Sequence, residues 1–313
     1  MKIGGIIMKK RLILLFTLVV LLISTAACGG QKESENTSDK NETTIKVGSK
    51  NFTESLILGE IYSLALEEAG YKVERKLNLG GTMVAHTALK EGEIDMYPEY
   101  TGTGLINVLQ EKPMSDPQKV YDLVSQKYKE KFNLVWLEPT DVNNSQALVT
   151  TKKVAEKYGV TTLSKLAEVA PKLRLAAVPE FEERDDGLKG LQKFYGGFQF
   201  KSVQLFDYGI KYRVILNDEA DVTVGFTTDG DLTNEELVLL EDDKKFWPPY
   251  YVAPVIREET LEKDPKIEEV LNKVSKHLNN KVVQNLNAEV DIQKREYTEV
   301  AKEFLEEKGI IKK

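Results

Sequence analysis

Ile94-Asp95-Met96-Tyr97-Pro98-Glu99-Tyr100-Thr101-Gly102-Thr103-Gly104 is the stretch on which the rest of the chain is organised. A short apolar run ends in a tyrosine, and a Thr-Gly-Thr-Gly turn then opens a helix. In an open α/β sheet, ligands bind just beyond the carboxyl end of a strand, at the N-terminus of the next helix. The reading places Tyr100 at such a point, as one wall of an aromatic site for a small organic cation.

The same pattern recurs. Ala220-Asp221-Val222-Thr223-Val224-Gly225-Phe226-Thr227-Thr228-Asp229-Gly230 lines up with it residue for residue. Both follow a helix, both pair an aspartate with a strand, and both end in aromatic-Thr-x-x-Gly. Two α/β lobes of similar build are predicted, each offering a ring at a strand's carboxyl end, with a cleft between them.

Around these stretches strands and helices alternate. Ile45–Gly48 reads as a strand, Asn51-Phe52-Thr53-Glu54 as a capped helix start, and Ile57, Ile61, Leu64 and Ala65 as the helical stripe before Gly70. Val73, Arg75, Leu77 and Leu79 alternate up to Gly80-Gly81, and a helix over Met83 to Glu91 follows. Pro113 to Lys131 is a further helix and Phe132 to Leu137 a strand. Glu138 to Asn144 is rich in turn residues and forms a domain boundary, and Trp247-Pro248-Pro249-Tyr250-Tyr251 forms a second. Between them lie the strands Ala147–Val149, Leu173–Val178, Val203–Phe206 and Asp221–Phe226, with helices at Leu163–Ala170, Gly187–Tyr195 and Ile210–Asn217. The tail from Glu258 to Lys313 is helical in pattern.

Residues 1–27 read as a signal peptide. Lys9, Lys10 and Arg11 precede the apolar run Leu12–Ile23, and Ser24-Thr25-Ala26-Ala27 supplies small residues before Cys28. The run is short for a spanning helix, which needs about 20 residues. Cys28, the sole cysteine, resembles the lipid-modified first residue of a bacterial lipoprotein; a free thiol after an ordinary signal is the alternative. Met8 is an alternative start to Met1. Residues 28–43 carry no branched aliphatic side chain and read as a flexible tether that hangs the protein on the outer face of the membrane.

Composition narrows the function. With 41% hydrophobic and 30% charged residues the chain can build real cores. A net charge of -7 and a pI near 5.3 argue against a nucleic-acid partner. No G-x-S-x-G, Walker loop or G-x-G-x-x-G is present. His86 and His277 lack ligands at metal spacing and read as structural or exposed, and the pairs Asp185-Asp186 and Asp242-Asp243 as turns and solvated faces, so neither a metal nor a cofactor is expected.

Facing rings suit a quaternary ammonium, which carries charge but no N–H. Each ring contributes about 0.5–1 kcal/mol when exposed and about 2 or more when desolvated. Three rings supply roughly 3–6 of the about 8 kcal/mol that micromolar binding needs. The remainder falls to the other end of the ligand.

Gly48-Ser49-Lys50-Asn51-Phe52-Thr53-Glu54, Tyr97 to Thr103, Asn143-Asn144, Asp186-Gly187-Leu188 and Phe226 to Gly230 together resemble the extracytoplasmic substrate-binding proteins of ABC transporters for glycine betaine, choline, carnitine and related osmoprotectants. The resemblance runs from Ile45 to the C-terminus. It implies a type II periplasmic-binding-protein fold, an α/β fold with a two-strand hinge, whose lobes are 44–142 plus 249–313 and 143–248. It implies a monomer that performs no catalysis and delivers its ligand to a permease and its ATPase. Tyr100, Phe226, Tyr250 and Gln146 would surround the quaternary ammonium, and Lys50, Thr103 and Arg184 would face a carboxylate. Tyr251 competes with Tyr250 for its place, and Thr103 with a simple capping role.

Two positions depart from the family's four tyrosines: Phe226 keeps the ring and loses the hydroxyl, and Gln146 replaces a ring with an amide. A missing desolvated ring costs a simple betaine about 1–2 kcal/mol. An amide can instead bond a polar substituent, which brings larger betaines such as ergothioneine into range. The competing readings are an enzyme on the same fold using Glu99, Asp229 and Lys50, and a surface sensor or adhesin without transport.

Overall fold

The computed structural model describes residues 44–312; Cys28, the run Leu12–Ile23 and the tether 28–43 lie outside the described residues. Among these residues no helix is long and apolar enough to cross a membrane.

Ten strands form two sheets. In chain order they are β1 (Thr44–Gly48), β2 (Lys72–Lys76), β3 (Met96–Tyr100), β4 (Leu134–Trp136), β5 (Gln146–Thr151), β6 (Arg174–Ala177), β7 (Ser202–Leu205), β8 (Val222–Phe226), β9 (Leu237–Leu239) and β10 (Val252–Arg257). The sheet orders are β2-β1-β3-β10-β4 and β7-β6-β8-β5-β9. In each, three adjacent strands run parallel, β10 or β5 returns antiparallel beside the ring-bearing strand, and the edge strand β4 or β9 pairs antiparallel with that one. The sequence echo therefore has a topological meaning: β3 and β8 hold the same central position in the two sheets.

β3 is buried along its whole length, as a strand covered on both faces should be. Pro98 in such a strand would ordinarily forfeit a ladder bond. Here it stands opposite Pro254 of β10, so the two residues without an N–H share one rung.

The strands β9 and β10 and the helix Lys152–Tyr158 are additions to the elements expected from the sequence. β2 stops at Lys76 although its alternation continues to Leu79, because Asn78 and Gly80 take positive φ of 60° and 137° and turn the chain. The expected cap at Asn51–Glu54 also differs. Phe52 is the N-cap of the helix Thr53–Glu68 and makes no side-chain cap bond. Thr53 donates instead to Asp291 at 2.6 Å, and Glu54 turns into the interior.

The helical tail resolves into Glu258–Lys263, Lys266–Ser275, Asn280–Asp291 and Tyr297–Glu307. The last three pack on the helix Thr53–Glu68, with Tyr62 and Ser275 hydroxyls 3.1 Å apart. Asn280–Asp291 also touches the turn Gly230–Thr233 that follows β8, where a Cβ on Gly230 would lie 2.5 Å from Ala288 backbone atoms.

The chain passes between the sheets twice. Both crossing segments lie side by side and antiparallel: Asn144 N–H donates to Tyr250 O and Val252 N–H to Val142 O, each at 3.0 Å. They enter the sheets directly opposite the ring-bearing ends, with Val252 across from Tyr100 and Gln146 across from Phe226.

Candidate functional site

The carboxyl ends of parallel strands from both sheets converge on one cavity of about 330 Å³. Lys50 and Phe52 follow β1, Tyr100 ends β3 and Thr103 lies just after it. Glu180 and Arg184 follow β6, Tyr208 follows β7 and Phe226 ends β8, while Asn144 and Tyr250 come from the crossings and Gln146 opens β5. All seven residues singled out from the sequence (Lys50, Tyr100, Thr103, Gln146, Arg184, Phe226 and Tyr250) border this cavity. Tyr250, rather than Tyr251, is the buried one of its pair that lines it.

Phe52, Asn144, Glu180 and Tyr208 also border it and were not assigned from the sequence. Phe52 is the hub of the rings: its centroid lies 6.0 Å from Tyr100, 5.8 Å from Tyr208 and 6.3 Å from Phe226, the last in a stacked arrangement. Tyr208 and Phe226 stack at 6.1 Å. The ring cluster thus joins two residues of the first sheet's lobe to two of the second.

The protein already sets its own cations against these rings. Lys50 Nζ lies 4.6 Å from the Tyr100 centroid and Lys211 Nζ 4.6 Å from that of Phe226, within the range of a cation–π contact. Lys50 is buried and pairs with the fully buried Glu99 at 2.7 Å, and Tyr97 donates to the same carboxylate at 2.8 Å. Lys211 pairs with Asp229 at 2.7 Å.

Arg184 grips Asp186 bidentately, through Nε and Nη2 at 2.7 Å each, and Nη2 reaches Thr103 Oγ1 at 3.2 Å. Thr103 therefore serves as an acceptor between lobes and makes no helix cap. Asp186 is not the solvated turn residue expected from the sequence. It is 2% exposed and accepts from Arg184, Asn107 and the Tyr250 hydroxyl. Burial pushes its carboxyl up, yet the guanidinium beside it holds it below the usual aspartate range. Burial and then the Asp186 charge carry the Tyr250 phenol well above its ordinary value, so it stays a donor. Gln146 Nε2 makes only long contacts, 3.4 Å to the Tyr250 oxygen and 3.4 Å to the Asp186 carbonyl.

Below the cavity Glu54 ties the halves together. It accepts from Tyr100 Oη at 2.7 Å, Asn144 Nδ2 at 2.8 Å, Thr228 Oγ1 at 2.5 Å and Asn287 Nδ2 at 3.1 Å. Burial raises its carboxyl despite these four donors.

A second, partly open pocket adjoins the rings at Phe52, Tyr208 and Phe226, and is polar, with Lys211, Asp229, Asp231 and Asp291 in its wall. There burial, with Asp229 and Asp231 nearby, pushes Asp291 up to about 6. An outer cleft of about 1280 Å³ opens beyond Thr82, Glu180 and Tyr208.

His86 is buried with its ring edge-on to Tyr128 and Phe132, and His277 is half-buried. Among the described residues no group of His, Cys, Asp and Glu is placed to hold a metal ion.

Two α/β lobes with mixed sheets, joined by paired crossings and enclosing a ring-walled cavity, are the type II periplasmic-binding fold. The chain belongs to the family described as the substrate-binding domain of the ABC-type glycine betaine transport system, whose model matches residues 43–307. A relative in Helicobacter pylori, named ergothioneine transport permease/ergothioneine binding protein, is 36% identical over 86% of this chain, which spans only 48% of that relative's length. A Listeria monocytogenes relative, named carnitine transport binding protein, is 34% identical over 84% of this chain and 86% of its own. A solved structure titled as a glycine betaine/carnitine/choline ABC transporter shares 32% identity and a TM-score of 0.70, covering 85% of this chain and 99% of that one.

Proposed function

We propose that the protein is the extracytoplasmic solute receptor of an ABC importer and that it binds a quaternary ammonium compound in the 330 Å³ cavity. The observation that carries this reading is the ring cluster Phe52, Tyr100, Tyr208 and Phe226, drawn from both lobes around a space that also presents Arg184 and Lys50. The rings, with Tyr250, take the methylated ammonium by cation–π attraction and packing, while Arg184, Lys50 and Thr103 face a ligand carboxylate. The lobes 44–142 plus 249–313 and 143–248 close on the ligand about the crossings, and the closed form is what the permease receives. No step of this cycle makes or breaks a covalent bond in the solute. Cys28 carries the lipid anchor, residues 28–43 give the receptor its reach from the outer face of the membrane, and it works as a monomer.

Glycine betaine, carnitine and choline are the candidate ligands. A larger betaine such as ergothioneine is the second reading, favoured by the Gln146 amide in place of a ring and by the similarity to the Helicobacter pylori protein. Calorimetry of the mature protein with these four compounds tests both; absence of binding to every one at millimolar concentration would sink the proposal. Tyr100→Ala is expected to abolish binding while circular dichroism stays that of the parent, and unchanged affinity would remove Tyr100 from the site.

A further inference from the structure

Glu180 belongs to the second lobe, on the short helix Pro179–Glu183 after β6, yet its carboxylate is seated on the first. Oε1 accepts from the backbone N–H of Thr82 at 2.6 Å, at the start of the nine-residue helix Thr82–Lys90. Oε2 accepts from the Tyr208 hydroxyl at 3.0 Å. The seat is shaped for it: a Cβ on Gly81 would lie 2.3 Å from Oε1. Glu180 borders both the inner cavity and the outer cleft, so it stands at the entrance between them.

The charges around the inner cavity do not balance. Lys50 is matched by Glu99 and Arg184 by Asp186, and Glu180 is a third carboxylate held by uncharged donors. Burial works to raise its carboxyl, but Lys50 and Arg184 acting across the space hold it below the usual glutamate range, which keeps it ionised. A helix N-terminus with two cations nearby is also the place where an incoming ligand's carboxylate gains most.

We infer that Glu180 is a built-in occupant of the anion end of the site: it latches the lobes through Thr82, competes with the carboxylate of a zwitterionic betaine, and complements a quaternary amine that carries no carboxylate. This rests on the quaternary-amine reading above. A betaine must displace the Glu180 carboxylate or bind beside it against like-charge repulsion, whereas choline meets a compensating negative charge. Glu180 thereby sets the charge class of ligand, while the rings set the methylated head.

The test is calorimetry of the parent, Glu180→Gln and Glu180→Ala with glycine betaine and with choline. The amide keeps the shape and the bond from Thr82 while removing the charge, and the alanine variant serves if the amide fails to fold, folding being checked by thermal melting. The expected result is that the ratio of the choline to the glycine betaine dissociation constant rises by at least about tenfold, a change of about 1.4 kcal/mol in relative affinity. A ratio within about twofold of the parent's, with binding of both ligands intact, overturns the role of Glu180 and leaves the receptor reading standing. Failure of the parent itself to bind either compound overturns the role of Glu180, and the receptor reading falls with it only if carnitine and ergothioneine fail to bind as well.

Discussion

Phe52 offers the sharpest check on how the cavity works, because its ring contacts one ring of its own lobe and two of the other. An aromatic pair contributes about 0.5–1.5 kcal/mol beyond its area. The contacts to Tyr208 and Phe226 cross between lobes, so their loss, about 1–3 kcal/mol, would fall on the closed, ligand-holding form proposed above. Loss of the ring face facing a quaternary ammonium adds about 0.5–2 kcal/mol. Together these come to about 1.5–5 kcal/mol, so Phe52→Ala should weaken binding by roughly tenfold to several thousandfold. Phe52→Leu keeps apolar bulk and discards the quadrupole, and should cost about twofold to thirtyfold. Isothermal calorimetry on both variants, beside a denaturant melt of each without ligand, separates affinity from stability. If Phe52→Leu binds a quaternary amine as tightly as the parent, the rings act only as filler and the cation–π account fails.

Two further outcomes follow from the same geometry. Asp291 is pushed up to about 6 from an ordinary 3.8, so the stability it contributes is full below pH 3.8 and is lost as pH rises through 6. Asp291→Asn should thus be about 1–2 kcal/mol more stable than the parent at pH 7, after allowance for partial exposure, with the difference gone at pH 4; an equal difference in denaturation midpoint at both values would refute this. Gln146 holds its neighbours only through 3.4 Å contacts. Gln146→Ala should cost less than about 1 kcal/mol of stability and change glycine betaine affinity less than about threefold, while a betaine with an additional polar substituent loses about tenfold. Equal losses for both ligands, measured by competition binding, would show that the amide has no part in selection.

The two strand-turn stretches were legible because burial and chain geometry act on them locally. A strand covered on both faces is mostly apolar, and a ring at its carboxyl end followed by Thr-x-x-Gly repeats in both lobes, so Tyr100 and Phe226 could be placed from pattern alone. Phe52 escaped because its neighbours Asn51, Thr53 and Glu54 imitate a helix cap. The side chains that would cap are drawn off to Asp291 and to the Glu54 cluster by residues 174 to 238 positions away, and the ring is left facing the cleft. Tyr208 and Glu180 lie in a turn and a one-turn helix, segments too short to have a period; Glu180 finds its Thr82 partner, and Tyr208 its ring neighbour Phe52, in the opposite lobe. Asp186 looked like a surface residue since acidic pairs usually are; only the return of Tyr250 from the second crossing, with Arg184, makes its burial tolerable. β10 was hidden for a related reason, its two neighbours being β3 and β4, far earlier in the chain.

The place where the crossings join the sheets has a mechanical consequence. Val252 stands opposite Tyr100 and Gln146 opposite Phe226, so the crossing segments, the hinge of the closure proposed above, begin on the same rungs that end in rings. In the binding mode proposed above, the ligand's methylated head rests almost on the fulcrum. A rotation that parts the lips at Thr82 and Glu180 by a long arc moves the deep rings through a short one. The bottom of the cleft stays near its binding shape while the rim swings, so an arriving solute can be recognised before closure and released by a motion that begins at the rim.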